Sequence, residues 1–289
     1  MKKVIILGHE NPDVDSMVSG VLLEKLLNRR NLGINFEFVI PDRVIDDESI
    51  KVCKKYGLDV RKYQDEIDFN NSSLKYILVD HHKREVAGQI VGVIDHHPAL
   101  EEVYNIEYYT NTKASSTSCL IVQKNESEFT KEELTLAMLA AFFDTASFHS
   151  TKARKKDFIW IKKWSKKFSI NWQDLYQDGL AITPEMSISK LAVNGLKKYN
   201  FNNMLIESSY IQIIDVDKKE DKIKAILDFL SEYLIKKELD CFIFIVHDMT
   251  KFKSTVYQID KTGIKVRKYN SYASRGTTIM PDIYDDFKN

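Results

Sequence analysis

The sequence predicts an α/β protein with two domains: a first domain built on a mostly parallel sheet flanked by helices, and a smaller second α/β domain. The chain has 289 residues, enough for about two domains of roughly 150 residues each. Short apolar runs alternate with amphipathic stretches through the first half, which is typical of parallel strands joined by helical crossovers. The stretch 182–189 contains a proline and has weak periodicity, which predicts a connection between domains 1–183 and 190–289.

The elements of the first domain follow from these runs. Four short runs, mostly β-branched or aromatic, predict buried strands: Lys3–Leu7, Phe36–Ile40, Tyr76–Val79 and Ile90–Ile94. Apolar residues at helical spacing predict a helix over 16–28, and a second helix is expected over 49–56. The alternation of strands with helices is the reason why we expect a mostly parallel sheet.

From Thr130 onward the pattern becomes helical. Thr130 and Glu133 form a capping-box signature, and the segment 134–143 that follows is apolar nearly all round, so it is predicted to be buried. Another helix is expected over 157–168. The second domain is predicted to contain a strand over 210–214, a helix over 220–237, a strand over 241–246 and a hairpin of strands 255–259 and 264–269.

Composition excludes several classes of protein. The 42 basic side chains balance the 42 acidic ones, so there is no general support for nucleic-acid binding. No apolar run approaches the ~20 residues of a membrane span, and the first run is too short for a signal peptide, so we expect a cytoplasmic protein without membrane contact. The widely spaced Cys53, Cys119 and Cys241 indicate buried thiols rather than disulfides or a thiolate zinc site.

The first group of candidate site residues lies in the loop between the first predicted strand and helix. His9, Asp13 and Asp15 fall there within seven residues, on a loop that also contains Pro12. Ligands of open α/β sheets bind beyond the carboxyl ends of strands, where these side chains would project. Because the carboxylates would repel each other, the simplest prediction is a divalent metal between them.

Further candidates occupy comparable positions. Asp80 ends the third predicted strand, and Asp95, followed by His96 and His97, ends the fourth. Asp144 ends the apolar helix, where the helix dipole and burial both disfavour its charge and a neighbouring metal would compensate. Carboxylate and imidazole ligands without thiolate suit Mn²⁺ or Mg²⁺ better than structural zinc. These carboxylates and histidines are more ligands than one metal ion needs, so two ions are predicted.

These residues form motifs that resemble those of the DHH phosphoesterase superfamily. The motifs are Gly8-His9-x-x-Pro12-Asp13-x-Asp15-Ser16, Val79-Asp80-His81, Asp95-His96-His97 and Asp144-Thr145. Their order and spacing most resemble the family II, manganese-dependent inorganic pyrophosphatases, with the exopolyphosphatase and prune group as relatives. Ser274-Arg275 and Ile279-Met280-Pro281 resemble the tail motif of the second, DHHA2-type domain, so the resemblance covers the whole chain.

The resemblance implies a metal-dependent hydrolase of phosphoanhydride bonds, in which a hydroxide held by two Mn²⁺ ions attacks pyrophosphate. Mg²⁺ or Co²⁺ would be substitutes for Mn²⁺. The implied metal ligands are His9 and Asp13 for one ion, Asp15 and His96 for the other, and Asp80 and Asp144 as bridges.

Three more residues receive roles from the resemblance. His97 would contact phosphate or donate a proton, and Asp95 would orient a histidine. Arg275 would reach from the second domain to clamp the terminal phosphate. The resemblance also implies an active site in the cleft between the domains, and a homodimer formed through an edge strand of the first domain.

The sequence departs from the family pattern where phosphate should bind. The tail reads Ser274-Arg275-Gly276-Thr277 where the family has Ser-Arg-Lys-Lys, and Ser208-Ser209-Tyr210 stands where a lysine is usual. His82 replaces an asparagine usual in the second motif. Pyrophosphate therefore competes with polyphosphate as the expected substrate, and a non-catalytic metal- or phosphate-binding regulatory protein remains an alternative. A nuclease or nucleotide phosphodiesterase is disfavoured, because the chain has ten glycines and no Gly-Gly-Gly-His-like tract.

Overall fold

The computed structural model describes residues 2–41, 45, 47–98, 108–180, 182–201 and 204–288. The chain forms two compact units: Met1–Phe148 with Lys152–Gly179, and His149–Thr151 with Leu180–Asn289. The short segment His149–Thr151 belongs to the second unit because it pairs there. Ser150 forms a β-bridge with Tyr272, and the Thr151 amide donates to the Tyr272 carbonyl at 2.9 Å.

The first unit contains the predicted parallel sheet. Among the described residues its strands are β1 (Lys2–Leu7), β2 (Ile34–Val39), β3 (Lys75–Val79), β4 (Gln89–Asp95) and β5 (Tyr108–Asn111). They lie in the order β2-β1-β3-β4-β5, and every neighbouring pair is parallel. The carboxyl ends of all these strands therefore meet at one edge of the sheet, which is the arrangement that the strand-end motifs require.

Helices cover this sheet. They are α1 (Val14–Arg29), α2 (Asp47–Lys55), α3 (Thr117–Gln123), α4 (Lys131–Asp144), α5 (Lys155–Phe168) and α6 (Trp172–Asp178). The helices predicted over 16–28, 49–56, 134–143 and 157–168 are confirmed with shifted ends. Strand β5 and helices α3 and α6 were not predicted, because segments of four to seven residues are too short to show a clear period.

Helix α4 lies at the centre of the first core, and its start is the predicted capping box. The Thr130 hydroxyl accepts a hydrogen bond from the Glu133 amide at 3.3 Å, and the Glu133 carboxylate accepts one from the Thr130 amide at 3.0 Å. Residues such as Leu134 and Met138 have no exposed surface. The hydrophobic effect therefore fixes this helix, and the box determines where it begins.

We expect Thr130→Ala to lower the free energy of unfolding by about 1 kcal/mol, because the Glu133 amide at the start of α4 loses the hydroxyl that accepts its hydrogen bond. Urea unfolding followed by circular dichroism measures the change. Thr135→Ala, which removes a hydroxyl bonded to the Lys131 carbonyl within the same helix, is the matched control. Equal losses in the two variants would contradict the capping argument.

The second unit is a mixed sheet. Its described strands are β6 (Lys197–Phe201), β7 (Met204–Ile213), β8 (Cys241–Asp248), β9 (Lys253–Asp260) and β10 (Gly263–Tyr269), in the order β10-β9-β8-β7-β6. Strands β7 and β8 are parallel and the other pairs antiparallel. The predicted hairpin is confirmed as β9 and β10, whereas the strand predicted over 210–214 begins earlier and ends at Ile213.

Helices α7 (Ile188–Ala192), α8 (Glu220–Lys236) and α9 (Met280–Lys288) accompany this second sheet. The apolar face of α8 joins β7, β8 and β9 in one core through Ile223, Ile226, Leu230 and Leu234. Cys53, Cys119 and Cys241 are free and buried, as predicted. None of the described helices combines the length and apolar character needed to cross a membrane.

Candidate metal centre

The candidate ligands lie where the parallel strands end. Asp80 directly follows β3, its amide donates to the Ile94 carbonyl at 2.9 Å, and its side chain is 2% exposed. Its backbone has φ +63°, a left-handed conformation that turns the chain sharply at the end of the strand. Asp95 ends β4 and His96 follows it, so two adjacent strands deliver ligands to the same edge.

Three groups of side chains in the described residues could each hold a metal ion. Within each group, one ligand atom from every residue lies within 4.8 Å of the others: His9, Asp13 and Asp80; Asp15, His96 and Asp144; and Asp80, His96 and His97. Asp80 and His96 each belong to two groups. The structure thus brings together all six residues that the sequence proposed as metal ligands, and it adds His97 at their edge.

In the first group, Asp13 has two roles. It is the N-cap of α1, because its Oδ1 accepts a hydrogen bond from the Ser16 amide at 3.1 Å. Its Oδ2 lies 3.5 Å from His9 Nε2, and that nitrogen is 3.4 Å from Asp80 Oδ2. The start of α1 therefore fixes Oδ1 of Asp13 and leaves Oδ2 beside the His9 imidazole.

The second group is more deeply buried. His96 is held through Nδ1, which lies 3.0 Å from the Ala114 carbonyl, so Nδ1 donates and Nε2 faces the carboxylates. That Nε2 is 3.1 Å from Asp144 Oδ2 and 4.0 Å from Asp15 Oδ2. His96 Nε2 and Asp144 Oδ2 are both buried without a hydrogen bond. Buried polar atoms of this kind are what a bound cation would satisfy.

The electrostatics of the centre also fit a cation. Burial, followed by the charges of Asp80 and Asp144, raises the pKa of Asp15 well above its usual range. Burial alone would also raise the pKa of Asp80, but the neighbouring imidazoles of His9 and His96 hold that pKa well below its usual range. Protonated groups balance the negative charge of the carboxylates here. Bound divalent ions would balance the same charge instead. The donor set therefore fits two hard or borderline ions.

The segment 114–118 donates hydrogen bonds to the candidate ligands Asp15 and Asp80, and this role was not predicted from the sequence. The Thr117 amide donates to Asp15 Oδ2 at 2.7 Å, and the Ser118 amide and hydroxyl donate to Asp15 Oδ1 at 3.0 and 2.6 Å. The Thr117 hydroxyl donates to Asp80 Oδ1 at 3.0 Å. Asp157 anchors the segment by accepting from the Ser115 amide at 2.8 Å. The run of hydroxyl residues before α3 was the available signal.

Replacing Thr117 by valine is expected to weaken Mn²⁺ binding by about tenfold or more, because Asp80 loses the hydroxyl that orients it. Valine keeps the shape of the side chain, so circular dichroism should remain that of the wild type. Titration of the purified protein with Mn²⁺ measures the affinity. Thr117→Ser retains the hydroxyl and should bind Mn²⁺ like the wild type; equal loss in both variants would count against the orienting role.

Asp95 lies between two histidines. Its Oδ1 accepts from the His97 amide at 3.0 Å and is 2.9 Å from His97 Nδ1, while its Oδ2 is 2.6 Å from His82 Nδ1. Burial would raise the pKa of Asp95, but hydrogen bonds with His82 and His97 keep it well below its usual range. His82, for which the sequence alone indicated no contact, is thus a partner of Asp95.

The remaining predicted residue, Arg275, lies in the second unit at the start of a π-helical turn, Arg275–Ile279. Its Nη1 donates to the carbonyls of Gly195 at 2.6 Å and Ser208 at 3.2 Å, and the guanidinium lies 5.2 Å from the centre of the Tyr210 ring. These contacts fix the arginine from its own unit. Ser208 itself is fully buried in β7.

The fold and the donor set together define a two-unit α/β protein with a candidate centre for divalent metals. Residues 3–141 match the DHH family, N-terminal domain. The resemblance drawn from the motifs is thereby confirmed.

Relatives of known name match along nearly the full length. The chain is 23% identical to the manganese-dependent inorganic pyrophosphatase of Bacillus subtilis, over 98% of this chain and 94% of the relative. A crystal structure assigned to the family II inorganic pyrophosphatases, from Methanococcus jannaschii, matches with a TM-score of 0.79 and 20% identity. The match covers 99% of this chain and 100% of that one, so the two proteins share a fold.

Proposed function

We propose that the protein is a metal-dependent hydrolase of phosphoanhydride bonds whose substrate is inorganic pyrophosphate. The observation that supports this most directly is that four aspartates and two histidines come together from separate strands and helices. They fall into groups in which one ligand atom of every residue lies within 4.8 Å of the others. Relatives along the full chain are named manganese-dependent inorganic pyrophosphatases, which favours Mn²⁺ and pyrophosphate. The proposed products are two phosphate ions.

Each ligand has a proposed place. His9, Asp13 and Asp80 would hold one ion, and Asp15, His96 and Asp144 the other, with Asp80 and Asp144 as the proposed bridges. Two bound Mn²⁺ ions would supply Lewis acidity toward phosphoryl oxygens and lower the pKa of water. Mg²⁺ and Co²⁺ are the proposed substitutes.

His97 and Asp95 are proposed to act on the substrate side of this centre. The His97 ring is one-quarter exposed, unlike the buried His96, and its Nδ1 is held by Asp95 Oδ1 at 2.9 Å. If Nδ1 carries a proton toward Asp95, the other ring nitrogen is available to contact phosphate. Asp95 would then set the orientation of His97 without touching the substrate.

A phosphate-release panel tests the proposed activity. The purified chain is assayed with pyrophosphate, tripolyphosphate, long polyphosphate and nucleotides, each with Mn²⁺ or Mg²⁺. We expect pyrophosphate with Mn²⁺ to give the highest kcat/KM. No release from any substrate with either metal would reject the hydrolase proposal and favour a non-catalytic metal- or phosphate-binding protein.

A second candidate substrate is longer polyphosphate. The tail has Gly276 and Thr277 after Arg275, and β7 has Ser208-Ser209-Tyr210, where the family pattern provides lysines. A compact, highly charged substrate would lose cationic contacts at both places. Release from long polyphosphate but not from pyrophosphate would establish this alternative.

We expect Arg275→Ala to lower kcat/KM by about 10- to 100-fold, because a charge-assisted pair with a phosphoryl oxygen is lost. The same change frees the carbonyls of Gly195 and Ser208, so thermal unfolding must be measured in parallel. Arg267→Ala, an arginine paired with Asp286 on the surface of the same unit, is the control. A drop in stability with unchanged kcat/KM would assign Arg275 a structural role only.

The assembly and location of the protein are also proposals. We infer a homodimer through an edge strand of the first unit, and β5 is such an edge, with Tyr109 partly exposed. We propose a cytoplasmic location and a function without membrane or nucleic-acid partners, and the zero formal net charge favours the absence of nucleic acid. Light scattering on the purified protein tests the dimer, and a monomer at micromolar concentration would reject it.

A further inference from the structure

Lys152 places an ammonium group beside the candidate ligand Asp144. Its Nζ forms an ion pair with Asp144 Oδ1, and the two side chains are only 11% and 12% exposed. A buried ammonium needs a compensating negative charge, and Asp144 supplies it. The Lys152 ammonium is therefore a cation of the protein itself that already pairs with the proposed metal ligand Asp144.

The two oxygens of Asp144 face different neighbours. Oδ1 pairs with Lys152, whereas the buried Oδ2 makes no hydrogen bond and lies 3.1 Å from His96 Nε2. A divalent ion at this group would share the carboxylate with the ammonium or displace it. Sharing brings like charges within a few ångströms in a buried site, and displacement breaks a buried ion pair, so both disfavour the ion.

We propose that Lys152 is a resident counter-cation that competes with a divalent ion for Asp144 and so weakens metal binding at the group of Asp15, His96 and Asp144. This inference rests on the metal centre of the proposed function. It concerns binding of the ion alone, so it can be tested without any hydrolysis.

The test is a Mn²⁺ titration of the metal-stripped, full-length protein, in which the electron paramagnetic resonance signal of aqueous Mn²⁺ reports the free ion. Lys152→Met and Lys152→Gln remove the charge and keep most of the side-chain length. Lys156→Met, at an exposed position of α5, makes the same change in net charge and is the matched control.

We expect both Lys152 variants to bind the more weakly held of the two Mn²⁺ ions at least tenfold more tightly than the wild type does. This gain in affinity corresponds to about 1.4 kcal/mol. Lys156→Met should stay within about twofold of the wild type, because its charge is exposed and screened. The Lys152→Gln variant still provides the test if Lys152→Met disturbs the fold. Circular dichroism checks the fold of both variants.

Two outcomes overturn the inference, and they are distinguishable. Unchanged or weaker Mn²⁺ binding in folded Lys152 variants would reject competition by the ammonium and leave the metal centre standing. A wild-type chain that binds no Mn²⁺ would reject the inference and the proposed function together. A chain that binds Mn²⁺ but releases no phosphate would reject only the hydrolase, because the titration does not depend on turnover.

Discussion

Replacing Asp80 by asparagine is expected to lower kcat for pyrophosphate by at least about 1000-fold. Asp80 belongs to the ligand group of the first proposed ion and is also a proposed bridge to the second, so loss of its charge affects both proposed ions at once. Asparagine suits the position, because it tolerates the left-handed backbone at φ +63° better than most residues. Its amide oxygen can also still accept the hydrogen bond from Thr117. The fold should therefore survive while the activity is lost.

Phosphate release in the presence of Mn²⁺ measures this loss, and circular dichroism checks the fold. The control is Asp65→Asn, an exposed position where the side-chain oxygen bonded to the Glu66 amide is kept. Its activity should equal that of the wild type. If Asp80→Asn retained more than about a tenth of the wild-type rate, Asp80 could not be a shared metal ligand.

Removal of both metal ions is expected to abolish hydrolysis and to lower the melting temperature by about 10–20 °C. Each ion at a concentration of 100 times its Kd stabilises the folded state by about 2.7 kcal/mol. For a unit of this size, 1 kcal/mol corresponds to roughly 2–4 °C. Chelation also removes the divalent cations that would compensate the buried carboxylates of the centre, which adds to the destabilisation.

Calorimetry before and after chelation, and again after addition of Mn²⁺, measures this effect. Mn²⁺ should restore both the melting temperature and phosphate release. In the Asp80→Asn variant, chelation should change the melting temperature much less, because the ions are already weakly held. A wild-type melting temperature indifferent to chelation would contradict the metal centre itself.

Much of the first unit was predictable because its signals are local. The short apolar runs that define β1 to β4, and the capping box at Thr130, each arise within a few residues of chain. The long helix α8 likewise shows its apolar stripe in sequence. Strand β5 and helix α3 escaped prediction because their four and seven residues are fixed by contacts distant in sequence.

The ligand types and their strand-end positions were readable from the sequence alone, because a parallel sheet gathers the carboxyl ends of its strands at one edge. Which atoms lie together was decided only by the tertiary structure. Thr117 holds Asp80 across 37 positions of chain, and Asp157 fixes the Ser115 amide across 42. Lys152 likewise reaches Asp144 from the loop beyond α4. Such contacts leave no periodic trace, since they depend on how distant elements pack rather than on spacing along the chain.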